Sequence, residues 1–291
     1  MSSSSVSTNT PYAMTVTNVI CITNVLRHLP TVQLHGIGIA TIYKESIVVG
    51  NSAVTARCHI EGTEGDNIIK CYFRDVERLG EIYPNNYFPE ALLVYDVFGH
   101  TYLVDVVLTK WHPGESLDRY IYNTECNFKI LSRNFDALAS FMLDNRIKHG
   151  DITAENIIVE ADGEIHLIDK IEANNKIYGK GTEAYNNPLR AIFMPDKHVD
   201  DYALALISAL IAALAIDSSL LDKITVKGAL HIDGSYNDFL IYTIKEVLKD
   251  RDEVHYQMLQ CLENYNGMID NLCAMMRYAV MEAILDEDTI L

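Results

Sequence analysis

Positive charge is what this chain has least of. Its 23 lysines and arginines stand against 40 aspartates and glutamates, a formal net charge of -17. That balance repels phosphate backbones and anionic headgroups, so nucleic acid or a membrane surface would need a local basic patch. The nearest cluster, Lys245, Lys249 and Arg251, is matched by Glu246, Asp250, Asp252 and Glu253, the pattern of a solvated helix face. Neither partner is expected. Paired cysteines are also missing: Cys21, Cys58, Cys71, Cys126, Cys261 and Cys273 show no short repeated spacing, which argues against a structural zinc site or a secreted disulfide framework. A reducing cytoplasm fits. His231, His255 and the other histidines are not spaced as in HExxH, so metal-dependent hydrolysis has little support. The longest apolar run, Tyr202 to Ile216, is bounded by Asp200, Asp201 and Asp217 and falls short of the roughly 20 residues that cross a bilayer. It predicts a buried core helix. Residues 1–10 are rich in serine and threonine, without a basic start or an apolar stretch, and read as a frayed tail.

What is present is enough apolar material for a large core. With 291 residues, 49% hydrophobic and 22% charged, the chain can bury one core divided between two lobes. Between Gly50 and Tyr72, β-branched stretches broken by Gly62, Gly65 and Asp66 predict antiparallel strands. In RDVERLGEIY, Val76, Leu79 and Tyr83 share one helical face, with Glu77 and Glu81 a turn apart on another. Two more strands, ALLVYDVFG and TYLVDVVLTKW, meet at Gly99 and His100. Beyond Pro113 and Gly114 the pattern turns helical, through SLDRYIY and NFKILSRNFDALASFMLDNRI. It is interrupted by ENIIVE and EIHLID, which Ala161, Asp162 and Gly163 join as a hairpin. Everything from Asp200 onward reads as helix, with Met268, Met275, Met276 and Met281 as core fillers near its end.

The residues that carry chemistry lie around that hairpin. His149, Gly150, Asp151, Ile152, Thr153, Ala154, Glu155 and Asn156 precede it, and Asp169 closes the LID that ends it. This set resembles the catalytic loop and metal-binding segment of the protein-kinase-like superfamily, nearest to bacterial kinase-like proteins whose LID lacks a following Phe-Gly. The resemblance implies an α+β, bilobal fold. In it, 1–47 form a tail and extension, 48–109 a small antiparallel β-rich N-lobe, and 110–291 a mostly helical C-lobe.

It further implies ATP and Mg2+ as cofactors. Asp169 and Asn156 hold the metal, and Asp151 receives the proton of the acceptor hydroxyl. A transferring phosphoryl group needs its charge neutralised, and magnesium takes few carboxylates plus an amide or water. Lys70 in NIIKCYF resembles the strand lysine that pairs with the α- and β-phosphates. Its glutamate partner comes from the short helix, with Glu81 favoured over Glu77. TKWHPGESL resembles the hinge, implying backbone contacts to adenine from Lys110 and Trp111 and a ribose contact from Glu115. GTEAYNNP and DDYAL resemble the end of the activation segment and the start of the buried central helix. The GKGT at Gly179 is not a Walker loop, because Asn174 stands where the earlier glycine belongs.

The pattern also departs from the family. The family's glycine-rich loop offers three glycines so that backbone amides can approach the nucleotide's phosphates; GNSAVTAR keeps only Gly50, with Ser52 and Thr55 at the other two places, so the resemblance implies nucleotide contacts from Gly50 and Ser52 in a looser cradle or one made by hydroxyls. Lys170 and Ile171 follow Asp169, Thr153 replaces a lysine, and Leu189 replaces a glutamate. Gly150 stands where many kinases carry an arginine, so phosphorylation of Thr182 or Tyr185 is not expected to switch the protein through that route. Taken singly, the residues have plainer readings: Lys70 as a strand lysine reaching solvent, His149 as a packed brace, and Asp151, Asn156 and Asp169 as turn residues. The expected function is a phosphotransferase acting on a protein or small-molecule hydroxyl, with a pseudokinase serving as a nucleotide-binding or interaction module as the alternative.

Overall fold

In a computed structural model, the chain is mixed α and β. The structure describes residues 11–50, 52–73, 79–123, 125–170, 185, 198–226, 229–230, 237–264 and 269–288. These fall into two compact units, Met1–Trp111 and His112–Leu291.

The first unit contains helix α1 (Pro11–His28) and seven strands: β1 (Thr31–Leu34), β2 (Gly38–Ile42), β3 (Val48–Val49), β4 (Ala53–Ile60), β5 (Asn67–Tyr72), β6 (Tyr87–Tyr95) and β7 (Thr101–Lys110), with the short helix α2 (Leu79–Ile82) before β6. The strands are antiparallel in the order β2-β1-β6-β7-β5-β4-β3, and β2 also pairs with β4. Six strands therefore close on themselves like a barrel, with β3 appended. Alternation along β4 explains the inside: Val54, Ala56, Cys58 and Ile60 are buried while Thr55, Arg57 and His59 are more accessible. Ile22 and Leu26 of α1 join the same core as Leu34, Ile69, Leu92 and Val106. Residues 11–47, read from sequence as a tail and extension, thus supply a helix and two strands to this sheet. The apolar content of α1 and the alternation in TVQL and GIATI carried that signal.

The second unit begins with β8 (Gly114–Ser116), α3 (Leu117–Tyr120) and α4 (Phe128–Asp144), followed by β9 (Ile157–Glu160) and β10 (Ile165–Leu167). It continues with α5 (Asp201–Ile216), α6 (Leu220–Ile224), the two-residue strands β11 (Thr225–Val226) and β12 (Ala229–Leu230), and helices α7 (Asn237–Leu248), α8 (Glu253–Asn264) and α9 (Leu272–Asp288). Asn127 caps α4 by accepting from the N–H groups of Lys129 and Ile130 at 3.1 and 3.2 Å. Leu131, Phe135, Ala139 and Met142 form the buried stripe of α4. The apolar run becomes α5, buried on every side as its uniform composition predicts, and among the described residues no helix is long and apolar enough to cross a membrane.

Two expectations need correction here. The region after Asp200 is not all helix, because β11 and β12 pair as a small hairpin. Met275 and Met276 are core residues, but Met281 is 60% exposed, because it faces away from the helices that α9 packs on; Met268 lies outside the described residues. Polar side chains inside the helical core cluster around Asp136. Ser208 on α5 donates to Asp136 at 2.5 Å, and His255 lies 3.3 Å from Asp136 and 2.7 Å from Asp252. Burial disfavours the imidazolium of His255, but these two carboxylates outweigh it and hold the ring charged, with a pKa of about 10.

Candidate functional site

The hairpin β9–β10 is built by its turn. Gly163 takes φ +87°, which a side chain would resist, and its N–H donates to Glu160 O at 2.9 Å while Asp162 Oδ1 accepts from Glu164 N–H at 3.0 Å. Register pairs Leu167 with Ile157, and Ile168 N–H donates to Asn156 O at 2.9 Å. The hairpin therefore brings Asn156, just before β9, beside the segment that leads into Asp169. The third residue joins through the loop: Asn156 Nδ2 donates to Asp151 O at 2.9 Å and lies 3.4 Å from Asp151 Oδ2.

Thr153 fixes the turn between them. Its hydroxyl caps the 3-10 turn Ala154–Asn156, accepting from Asn156 N–H at 3.2 Å, and the residue is buried. Asp169 is exposed and sits at φ +61°, a left-handed conformation that aspartate tolerates better than most residues but that still costs energy. Strain of this kind collects at sites where surrounding structure dictates a side chain's direction.

The loop is held from below by a residue that sequence reading placed only at the start of a helix. Asp200, 6% exposed, accepts from His149 N–H at 2.7 Å and from Gly150 N–H at 2.8 Å, one on each carboxylate oxygen. A buried carboxylate with two charge-assisted hydrogen bonds is a strong anchor. Gly150 takes φ +86°, so an arginine there would be strained in this loop. His149 lies 2.8 Å from Ile168 O through Nε2, bracing the loop against the end of the hairpin. Burial lowers its pKa, opposed by the charges of Asp200, Asp151 and Asp169 and the bond to Ile168. Tyr185 is buried, and its hydroxyl is bonded to the backbone of Ala154; the rest of GTEAYNNP, with Thr182, lies outside the described residues, as does Leu189.

In the first unit, Lys70 sits on β5 opposite Thr55 of β4 and Val107 of β7, and is 8% exposed. A lysine reaching solvent would not be so buried. Enclosing an ammonium on a central strand is costly unless it has anionic partners. Glu81 is exposed on α2, and Glu77 lies outside the described residues. Gly50 turns β3 into β4, its N–H donating to Ala53 O at 2.9 Å, and Ser52 O accepts from Phe73 N–H at 3.1 Å. Lys110 ends β7, paired with Asn67, and the Trp111 N–H is committed to Asp66 O at 3.1 Å. The Trp111 ring lies against the Arg57 guanidinium at 3.7 Å. Glu115, in the second unit, is exposed on β8 opposite Val159.

The structure thus joins Asp151 and Asn156 directly and leads Asp169 to them through the hairpin. Asp200 and the cap from Thr153 were not assigned in the sequence; the adjacent acids at Asp200 and Asp201, before an apolar helix, were the signal. No protein-family model matches this chain, and no curated protein matches its sequence.

Proposed function

We propose that this protein binds a magnesium nucleotide and transfers its γ-phosphoryl group to a hydroxyl of a protein or small molecule. One observation carries the reading: a loop anchored on a buried aspartate gathers Asp151, Asn156 and, across a tight hairpin, a strained Asp169. The donor set suits a hard cation. Two carboxylates and an amide oxygen are magnesium ligands, and the Asn156 nitrogen is already spent on Asp151. Asn156 and Asp169 would hold the ion, which neutralises phosphate charge. Asp151 takes the proton as the acceptor oxygen bonds to the γ-phosphorus and the bond to the bridging oxygen breaks, releasing ADP. The burial of Lys70 on β5 supports a phosphate-pairing role.

A nucleotide-binding module without transfer is the second reading. Thr153 favours it, since its hydroxyl is used up as a cap and brings no charge to a transferring phosphate. Melting curves with ATP, with and without Mg2+, test both. Saturation at about a hundred times the dissociation constant adds roughly 2.7 kcal/mol, a shift of several degrees. Asp169→Ala should abolish that shift, whereas Asp151→Asn should keep it and lose transfer. Wild type melting at one temperature throughout would remove the nucleotide reading, and a shift without transfer to any hydroxyl acceptor would favour the module.

A further inference from the structure

At the turn end of the same hairpin lies a second set of side chains that the phosphotransfer reading does not use. Register pairs His166 on β10 with Ile158, and Gly114 on β8 with Glu160. Residues two apart on a strand share a face, so Glu160 lies on the side of Ile158 and His166. His112, two residues before Gly114, approaches that face from the other edge. His166 Nε2 is 2.8 Å from Glu160 Oε1, His112 Nδ1 is 3.5 Å from the same oxygen, and the three donor atoms all lie within 4.8 Å of one another. The side chains are only 17%, 22% and 17% exposed for His112, Glu160 and His166. The two imidazoles stack at 3.7 Å between centroids. Glu164 stands at the rim, its Oε1 3.6 Å from His166 Nε2.

We propose that His112 Nδ1, His166 Nε2 and the Glu160 carboxylate form a site for a divalent transition-metal ion of the zinc class, with Glu164 or water as the fourth ligand. Two alternatives weigh less. A simple ion pair accounts for one imidazole, but the 2.8 Å approach of His166 to Glu160 lacks hydrogen-bond geometry although the nitrogen has no accessible surface. Tetrahedral zinc, with bonds of about 2.0–2.1 Å, spaces its donors about 3.3 Å apart, against 2.8 and 3.5 Å from Glu160 Oε1 to the two nitrogens, and the rings, stacked at 23°, would turn on binding so that each lone pair faces the ion. Magnesium or calcium would call for oxygen ligands throughout, whereas two imidazoles with a carboxylate select zinc and its neighbours. The chain's overall negative charge favours any cation. A bound ion would tie β8, β9 and β10 together at the end of the hairpin away from Asn156 and Asp169.

The test is calorimetric titration of the full chain with Zn2+ in the absence of nucleotide, together with melting curves. We expect one ion per chain, a raised melting temperature, and affinity lowered at least about tenfold in His166→Ala and in Glu160→Gln. Failure of wild type to take up one equivalent overturns the site, as does undiminished affinity in both variants. Should the variants not fold, wild type alone decides: Zn2+ should protect both His112 and His166 from acylation by diethylpyrocarbonate, read by mass spectrometry. Protection of fewer than both overturns the proposal.

Discussion

The two ends of one hairpin differ in how their side chains are brought together. At the open end, Asp151 and Asn156 are five residues apart in sequence, and the intervening turn is capped by Thr153 from within the same segment. At the turn end, His112 meets Glu160 and His166 only because β8 adds itself to the edge of β9. The first cluster is local chemistry on a loop. The second is a product of strand pairing. Chemistry set by chain spacing shows in the letters, while chemistry set by register stays hidden until the strands are paired.

The difference can be broken from either side. Asp200→Ala should do the most damage, because it leaves the buried N–H groups of His149 and Gly150 without their acceptor. A loss of about 3 kcal/mol in urea denaturation is expected, together with loss of the ATP-dependent melting shift. Zinc uptake at the turn end should survive. If it is lost as well, the two ends are not independent.

Gly114→Ala attacks the other end. A Cβ at Gly114 would lie 2.3 Å from Val159 O, an approach that forces β8 off β9. About 2 kcal/mol of destabilisation is expected, and His112 should move away from Glu160. Zinc affinity should therefore fall while the ATP-dependent shift persists; the reverse outcome would show that β8 serves the loop instead.

The smallest effect is one of pH. The folded-state pKa of His149 is lowered by burial below its ordinary value, so the folded chain resists a proton that the unfolded chain accepts. Stability contributed by the neutral ring is present above a pH of about 6.5 and is lost as pH falls toward the folded value. The pull of Asp200, Asp151 and Asp169 limits the size of this loss. Urea midpoints of wild type and His149→Gln across the mildly acidic range should diverge on that limb alone. Parallel curves would mean that the ring is not held neutral.

Much of the element order was legible from pattern. The strands around Lys70, the β6–β7 pair, α4, the Asp-Gly hairpin and the buried α5 all follow from periodicity and turn residues. The closure of β2 onto β4 and the strand at Gly114 were not. Short strands have too few residues to show a period, and Gly114 reads as a turn because its reason for being glycine is a neighbour's carbonyl from another segment. Lys70 shows the same limit. Its strand was readable, but its burial depends on β4 and β7 enclosing it.

By itself, the order of residues determined the acid and amide trio, its flanking hairpin, and a core helix too short to cross a bilayer, because each rests on contacts within a few residues of chain. Only tertiary structure decided that Asp200 anchors the loop, that residues 11–47 belong to the sheet, and that two distant histidines share one carboxylate. Those outcomes depend on which segments pair, and pairing is settled by burial across the whole fold, not by any local stretch of sequence.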